Sequence, residues 1–291
     1  MFIATLLTNP QTPVLDRATV ESLRNAWGGG DAVWLDPGVA AEFPLEQVPA
    51  NLWEAWEGLQ ALRIDLAVQP GANRKKRLLI ADMDSTMIQQ ECIDELADEA
   101  GVGAYVAGIT ARAMNGELDF DAALRERVGL LRDLPAETIA RVIRDRITLM
   151  PGGPALLSTM RANGAYTALV SGGFTAFTAR IAETLGFDEN RANTLLIADG
   201  KLTGHVADPI LGKQAKLDAL LEITARLGLT PEDAIAVGDG ANDLAMLTRA
   251  GAGVALHAKP SVAAQCELRV NYGDLTALLY LQGYSREDFA E

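Results

Sequence analysis

An apolar segment followed at once by a long helical block constrains the fold of this chain more than any other feature. Arg77–Ala81 reads RLLIA and is apolar enough to form a central strand buried on both faces of a sheet. From Ile88 to about Met150 the sequence reads as helix after helix. Further strand patterns follow at Tyr166–Val170, Ala234–Val237 and Gly251–Leu256. This alternation predicts an α/β fold with a doubly wound, Rossmann-like parallel sheet, and the helical block predicts a cap inserted after the first core strand.

The first seventy residues follow a separate pattern of strands and helices. Phe2–Leu7 and Arg63–Val68 read as strands, whereas Thr19–Trp27 and Leu52–Leu62 read as helices. The stretch Gly71–Lys76 is polar and basic, as expected of a linker. We therefore predict a small N-terminal α/β domain at residues 1–72, a core at residues 77–87 and 151–285, and a helical cap at residues 88–150.

Charge and composition narrow the classes of partner. The chain carries a formal net charge of −14, whereas nucleic acids and anionic membranes favour basic surfaces. Two cysteines, Cys92 and Cys266, make neither a disulfide framework nor a thiolate metal site. The first residues lack the basic start of a signal peptide, and no apolar run reaches the roughly 18 residues of a membrane span. We expect a cytoplasmic protein that binds neither nucleic acid nor membrane.

Two acidic loops follow apolar strand patterns. Asp82 and Asp84 lie in DMDST, directly after the first core strand, where open α/β sheets place their sites. Residues two apart on an extended segment point the same way, although spacing alone leaves an ordinary turn with two solvated aspartates equally open. A second loop, GDGAND at 238–243, carries Asp239 and Asp243 after another apolar strand. Carboxylates at two strand ends suit a hard cation, and Mg²⁺ is the first candidate.

Two further elements suit an anionic ligand. Ser171 is followed by Gly172 and Gly173 after a third strand, and such a turn lets backbone N–H groups approach an anion at a helix N-terminus. Lys216 lies near the start of a predicted helix. Each signal is weak alone, because SGG also marks ordinary turns and a single lysine is usually at the surface. Together with the acidic loops they predict phosphoryl transfer, in which positioning and charge neutralisation supply most of the catalysis.

Taken in order, DMDST, SGG, Lys216 and GDGAND resemble the motifs of the haloacid dehalogenase superfamily. Within that superfamily, the spacing over about 77–281 resembles the phosphoserine phosphatase family. The resemblance implies that Asp82 is the nucleophile and Asp84 the proton donor and base. The reaction it implies is hydrolysis of phosphoserine, a small phosphomonoester, through a phospho-aspartyl intermediate.

The same resemblance implies a ligand set for the metal and for the phosphoryl group. Mg²⁺ would be held by the Asp82 carboxylate, the Asp84 backbone carbonyl and Asp239, with Asp243 supporting this shell. The residues that would hold the phosphoryl oxygens are Ser171, Gly172, Lys216 and Asn242.

Substrate choice is expected to depend on the cap. The resemblance implies that Glu91 meets the substrate ammonium and that Arg127 binds its carboxylate, for which a planar guanidinium is suited. It also implies that Met114 and Phe120 close over the ligand. The residues by themselves favour a surface position for both charges, because Glu91 belongs to an acidic stretch and Arg127 is one of several cap arginines.

Several features leave other functions open. The order of elements in residues 1–72 is similar to that of small amino-acid-binding regulatory domains of the ACT type. A phosphatase or phosphotransferase for another small phosphomonoester, and a non-catalytic amino-acid-sensing protein, are the alternatives. His205 and His257 have no ligand partner nearby in sequence, so we expect structural roles for both. The sequence leaves the oligomeric state open, with a homodimer among the alternatives.

Overall fold

The computed structural model describes residues 1–290, which form twelve strands and twelve α-helices. The strands are β1 (Phe2–Leu7), β2 (Val33–Asp36), β3 (Ala40–Leu45), β4 (Asp65–Pro70), β5 (Leu78–Ala81), β6 (Tyr166–Phe174), β7 (Glu189–Asn193), β8 (Leu195–Ala198), β9 (Lys201–Val206), β10 (Ala234–Gly238), β11 (Ala252–Leu256) and β12 (Leu268–Val270). The helices are α1 (Arg17–Trp27), α2 (Leu52–Gln60), α3 (Cys92–Glu99), α4 (Gly103–Met114), α5 (Phe120–Gly129), α6 (Glu137–Asp145), α7 (Gly153–Ala162), α8 (Thr175–Leu185), α9 (Lys213–Arg226), α10 (Leu244–Arg249), α11 (Pro260–Ala263) and α12 (Ala277–Leu281).

A six-stranded sheet in the order β12-β11-β10-β5-β6-β7 forms the centre of the core, and every neighbouring pair is parallel. Strand β5 is buried along its whole length and lies between β10 and β6. Its residues alternate between two hydrophobic clusters, since Leu79 and Ala81 belong to one and Leu78 and Ile80 to the other. An apolar run without alternation therefore forms a strand with helices on both faces, as the sequence predicted.

Four helices, α3 to α6, are inserted between β5 and the helix α7 that leads to β6. The chain leaves the core at Ile88 and returns at Leu149, and these two residues form an antiparallel bridge. Backbone hydrogen bonds from Met150 to Met87 and from Gln89 to Thr148 continue this narrow connection. The helical insertion is thus joined to the core by two short paired segments, which fix the position of its base.

The N-terminal sheet is antiparallel, in the order β2-β3-β1-β4. With helices α1 and α2 it gives the chain order βαββαβ, the ferredoxin-like arrangement. One face of this sheet packs on its two helices around residues such as Leu6, Phe43 and Leu66. On the other face, Leu7 and Ala67 join the hydrophobic cluster of the core. Both faces of the small sheet are therefore covered within the same chain.

The predicted elements agree with the structure in the long apolar segments and fail in the short ones. The three core strands predicted after β5 lie within a few residues of their predicted positions, as β6, β10 and β11. The sequence patterns missed β3, β7 and β12, because these strands are short or carry polar residues and a proline.

The predicted SGG turn at a helix N-terminus is wrong in its details. Strand β6 continues through Ser171, Gly172 and Gly173 to Phe174, and helix α8 begins only at the next residue. The pairing with β7 shifts register between Val170 and Phe174, so the two glycines lie in an irregular strand end instead of a turn. None of the helices described for residues 1–290 has the length and apolar character that crossing a bilayer requires.

Candidate active site

The first acidic loop lies at the carboxyl end of β5, under the helical insertion. The Asp82 N–H donates to the carbonyl of Val237 in β10, which extends the sheet pairing by one residue. Asp82 and Asp84 are 2% and 6% exposed, so a pair of solvated turn aspartates is excluded. Ser85 follows with a positive φ of 55°, which turns the chain away from the strand direction.

The second acidic loop follows the neighbouring strand β10 and brings Asp239 and Asp243 to the same place. One carboxylate oxygen from each of Asp82, Asp239 and Asp243 lies within 4.8 Å of the others. Asp243 is fully buried, and its two oxygens accept hydrogen bonds from Lys216 Nζ at 2.5 Å and from the Gly240 N–H at 3.0 Å. The adjacency of two parallel strands therefore converts two distant sequence motifs into one carboxylate cluster.

Lys216 links the nucleophile position to the second loop. Its ammonium lies 2.6 Å from Asp82 Oδ1 and 2.5 Å from Asp243 Oδ1, and the side chain is 2% exposed. Burial lowers the pKa of Lys216, but the carboxylates of Asp243 and Asp82 outweigh that effect and raise the pKa above its ordinary value. The lysine is therefore a fixed positive charge in the site, and the expectation of a surface lysine is excluded.

The positive charge near Asp82 and Asp239 does not balance the negative charge of the site. Burial raises the pKa of Asp82 well above its ordinary value, and the negative charge of Asp243 raises it further while Lys216 opposes this. Burial and Asp243 raise the pKa of Asp239 to about 7, although Lys259 partly offsets them. Three carboxylates that share one buried site with a single enclosed lysine would be stabilised by a further cation.

The residues present fit a bound metal ion. Both carboxylate oxygens of Asp239 are buried and have no hydrogen-bond partner among residues 1–290. A buried carboxylate without donors is costly unless a cation meets it. One carboxylate oxygen of Asp82 lies within 4.8 Å of an Asp239 oxygen. Carboxylates are the ligands that hard divalent cations prefer. Since both oxygens of Asp243 are already engaged, this residue fits a supporting position better than direct ligation.

The Asp84 carboxylate is held by two donors. The Cys92 N–H donates to Oδ1 at 2.8 Å, and the Ser171 hydroxyl donates to Oδ2 at 3.0 Å. Ser171 in turn accepts a hydrogen bond from the Gly173 N–H at 2.8 Å. The hydroxyl predicted to hold a phosphoryl oxygen therefore contacts the predicted proton donor in this structure, and it orients that donor toward the site.

Glu91 and Arg127 lie in the wall of one small cavity together with Asp82 and Asp84. Arg127 is 2% exposed, its Nε donates to the Ala123 carbonyl at 3.1 Å, and its Nη1 donates to the Thr110 hydroxyl at 3.0 Å. Within residues 1–290 no carboxylate oxygen lies within 4.0 Å of this guanidinium. A surface position for Arg127 is thus excluded, and its buried charge has no direct ion-pair partner among residues 1–290.

Glu91 is the opposite case in the same cavity. Its carboxylate accepts a hydrogen bond from the Ser85 hydroxyl at 2.7 Å, but it makes no ion pair within residues 1–290. Burial and then the negative charges of Asp84 and Asp239 raise its pKa well above the ordinary value. A positive group brought into the cavity would offset that cost.

The apolar residues of the cap close this cavity. Met114 and Phe120 line it, and the Met114 carbonyl accepts a hydrogen bond from the Ala241 N–H of the second acidic loop at 3.1 Å. The Asn242 side chain also lines the cavity, and its Oδ1 is buried without a hydrogen-bond partner among the described residues. About 20 Å³ of free space remains, which is room for about one water. The structure is therefore that of a closed cap.

Sequence reasoning missed Lys259 and the residues that hold Arg127. The Lys259 N–H donates to the Asp239 carbonyl at 3.1 Å, and its Nζ lies 3.6 Å from Asp239 Oδ2. Its position just beyond the end of β11, a third strand of the same sheet, is the signal that could have identified it. The contact of Arg127 with Thr110, and of Thr110 with Asp94 at 2.6 Å, depends on helix packing and left no sequence signal.

The two histidines take structural positions, as expected, and Cys92 also takes one. Cys92 is buried in α3, and burial raises the pKa of its thiol well above the ordinary value. The His257 ring hydrogen-bonds to the Gly273 carbonyl at 2.8 Å. His205 lies in β9, and its Nε2 is 3.1 Å from Arg132 Nη2. None of these three residues lines the cavity that holds Asp82.

The fold and the side chains thus define a class of protein. It is a capped, doubly wound α/β protein with a carboxylate and lysine site at the carboxyl edge of its sheet. Comparison with known proteins specifies the family. Residues 79–248 match the family model of the haloacid dehalogenase-like hydrolases. The chain belongs to the haloacid dehalogenase-like hydrolase family, and curated phosphoserine phosphatases are among its relatives.

A phosphoserine phosphatase of Vibrio cholerae is 46% identical over 219 residues, which are 75% of this chain and 66% of the relative. A haloacid dehalogenase family hydrolase of Salmonella enterica serovar Typhi has a structure with a TM-score of 0.84 and 33% identity, covering 96% of this chain and 97% of that one. A substrate-bound phosphoserine phosphatase has a TM-score of 0.68 and 42% identity, covering 71% and 98%. The matches to three curated relatives span 58 to 66% of their lengths.

Proposed function

We propose that this protein hydrolyses O-phospho-L-serine to L-serine and inorganic phosphate, with Mg²⁺ as cofactor. One observation carries the choice of substrate. Glu91 and Arg127 carry charges of opposite sign without an ion-pair partner among residues 1–290, and they line the same closed cavity as Asp82. Phosphoserine carries an ammonium and a carboxylate beyond its phosphate, so it supplies one partner for each charge.

The side chains support a two-step reaction at phosphorus. Asp82 Oδ attacks phosphorus and the ester P–O bond breaks, while Asp84 gives its proton to the departing serine oxygen. Asp84, now ionised, takes a proton from the water that attacks the phospho-aspartyl group, and inorganic phosphate leaves as the Asp82 carboxylate is restored. Lys216 remains beside Asp82 and neutralises part of the charge of the incoming phosphate.

The metal would be held by Asp82, the Asp84 carbonyl and Asp239. When bound, Mg²⁺ offsets the repulsion between a phosphate dianion and a carboxylate nucleophile. Asp239 supports this assignment because its buried oxygens have no other partner. Magnesium is favoured over softer metals by an all-oxygen ligand set.

Relatives support the same activity. The Vibrio cholerae relative is named a phosphoserine phosphatase, and a solved structure with 42% identity is described as a phospho-aspartyl intermediate analogue of phosphoserine phosphatase. On this basis the reaction supplies serine as the last step of its biosynthesis. We also propose the division into residues 1–72, 77–87 with 151–285, and 88–150, and a cytoplasmic location that fits two free, buried cysteines.

A substrate panel with Mg²⁺ tests the proposal. Phosphoserine, phosphothreonine, phosphoglycolate and a sugar phosphate are compared by phosphate release, and phosphoserine is expected to have the highest kcat/KM. Asp82→Asn should abolish turnover without loss of folding, as judged by circular dichroism, and a chelator should stop the wild-type reaction. Preference for another phosphomonoester, transfer of phosphate to an added alcohol, or a fully active Asp82→Asn variant would contradict the proposal.

A further inference from the structure

A second cavity approaches the metal end of the site. It has a volume of about 540 Å³ and lies between the core and the N-terminal unit, which contributes Asn9 and Gln11 to its wall. Asp239, His257 and Lys259 line the same cavity. Asp82 and Asp84 instead line the small cavity under the cap. The predicted metal ligands therefore face two different spaces, and Asp239 faces the larger one.

Lys259 is attached to Asp239 at two points of different strength. Its backbone N–H donates to the Asp239 carbonyl at 3.1 Å, which fixes the main chain of the residue. Its ammonium lies 3.6 Å from Asp239 Oδ2, beyond ordinary hydrogen-bond distance, and neither carboxylate oxygen has a hydrogen-bond partner among residues 1–290. The side chain is 37% exposed, unlike Lys216, which is 2% exposed and bound to two carboxylates. Lys259 is thus a loosely held cation with room to withdraw into the second cavity.

A positive charge in this place opposes a metal ion bound by Asp239. The ammonium attracts the same carboxylate that a divalent cation would bind, and it repels that cation once it has bound. Mobility and solvent limit the effect, since a partly exposed lysine can swing away and is screened. The interaction that results weakens metal binding without preventing it.

We propose that Lys259 is the resident counter-ion of Asp239, and that it sets how tightly the protein retains its divalent cation. The inference rests on the metal dependence given under Proposed function. It assigns to Lys259 no contact with the substrate and no role in proton transfer. Its test therefore uses metal binding in the absence of substrate.

Two variants separate the charge from the loop support. Lys259→Met keeps the backbone hydrogen bond to Asp239 and most of the side-chain length but removes the charge. Calorimetric titration of metal-free protein with Mg²⁺ should then show roughly 5- to 30-fold tighter binding than wild type. Lys259→Arg keeps the charge and should show no tightening. Weaker binding by Lys259→Met would overturn the inference, because the ammonium would then support the loop instead of competing with the metal. Unchanged binding would also overturn it, because the charge would then have no effect on metal affinity.

A distant lysine supplies the matched control. Lys201 is exposed in the β8–β9 hairpin and does not line either cavity. Lys201→Met changes the net charge by the same amount and should leave Mg²⁺ affinity within about twofold of wild type. Equal tightening in both variants would show a general charge effect and would also overturn the inference. If the substrate panel contradicts the proposed activity, the Mg²⁺ titrations still test the role of Lys259. The two proposals can therefore fail independently.

Discussion

At the residue scale, the site is determined by charges that are weakly paired or have no ion-pair partner. Lys216 contacts two carboxylates. Arg127 is buried and Glu91 half-buried without an ion-pair partner among residues 1–290, and Asp239 has only the partly exposed Lys259 at 3.6 Å. Uncompensated buried charge is unfavourable in the free protein. A zwitterionic phosphate ester and a divalent cation would supply charges of the opposite sign to these side chains.

Arg127 gives a prediction at this scale. Arg127→Ala should lower kcat/KM for phosphoserine by roughly 30- to 1,000-fold, since a charged hydrogen-bonded contact to the substrate carboxylate is lost. A phosphomonoester without a carboxylate should lose less than tenfold, because it never used the guanidinium. Steady-state kinetics on both substrates checks the difference.

The control is Arg144→Ala on the same insertion. Arg144 is exposed and pairs with its neighbour Asp145, so its removal should leave both substrates unaffected. An equal loss of activity on both substrates in Arg127→Ala would contradict the role in specificity and indicate a general effect on cap structure. Circular dichroism of each variant excludes unfolding as the cause.

At the scale of elements, closure of the cap depends on glycines where Phe120 meets the core. A Cβ on Gly172 would lie 2.7 Å from Phe120 Cζ, and a Cβ on Gly212 would lie 3.2 Å from Phe120 Cδ1. The ring of Phe120, the first residue of α5, therefore packs closely against the end of β6 at Gly172, where a side chain would force it to shift. The small free volume of the cavity, about 20 Å³, shows how completely this contact closes the site.

Gly172→Ala should hold the cap partly open. We expect a roughly 10- to 100-fold loss of kcat/KM, because displacement of reacting groups by about 1 Å has costs of this order. Removing the ring should remove the conflict, so Gly172→Ala should cost much less in a Phe120→Ala background than in the wild type. Equal costs in the two backgrounds would show that Gly172 acts through its own backbone and not through Phe120. Gly129→Ala, at the other end of α5 with open space around it, is the matched control.

At the scale of the whole molecule, the N-terminal unit is fixed to the core by a buried carboxylate. Asp65 is fully buried and accepts hydrogen bonds from the N–H groups of Asn271, Tyr272 and Gly273, each at 2.9 Å. Arg74 reinforces the junction, because it pairs with Glu42 at 2.6 Å and donates to the Leu281 carbonyl at 3.0 Å. The small sheet is therefore held against the segment that follows β12, beside the second cavity.

Asp65→Asn should destabilise this junction by about 1–3 kcal/mol, because an amide group replaces an acceptor that faced backbone donors. All four tryptophans of the chain lie in the N-terminal unit, at positions 27, 34, 53 and 56. Urea unfolding followed by tryptophan fluorescence should then shift to a lower midpoint than in the wild type. Asp31→Asn, a substitution at a fully exposed carboxylate, should not shift the midpoint. A fluorescence midpoint equal to that of the wild type would contradict the role of Asp65.

The sequence by itself determined the elements whose signals are local. The apolar run before Asp82 predicts a doubly buried strand, and the loops at 82–86 and 238–243 predict carboxylates at strand ends. The sequence therefore predicts a shared site for Asp82, Asp239 and Lys216 from the combination of motifs, and the adjacency of β5 and β10 brings the two acidic loops together. Roles in the cap came from family resemblance, because charge patterns alone favoured surface positions for Glu91 and Arg127.

Only the tertiary structure decided which charges are buried and which remain unpaired. Burial of Arg127 depends on the packing of α4 against α5, and the proximity of Lys259 to Asp239 depends on the order of strands in the sheet. The small sheet's contact with the core depends on Asp65 meeting a loop about 200 residues later in the chain. These are contacts between segments far apart in sequence, whose geometry no local pattern encodes.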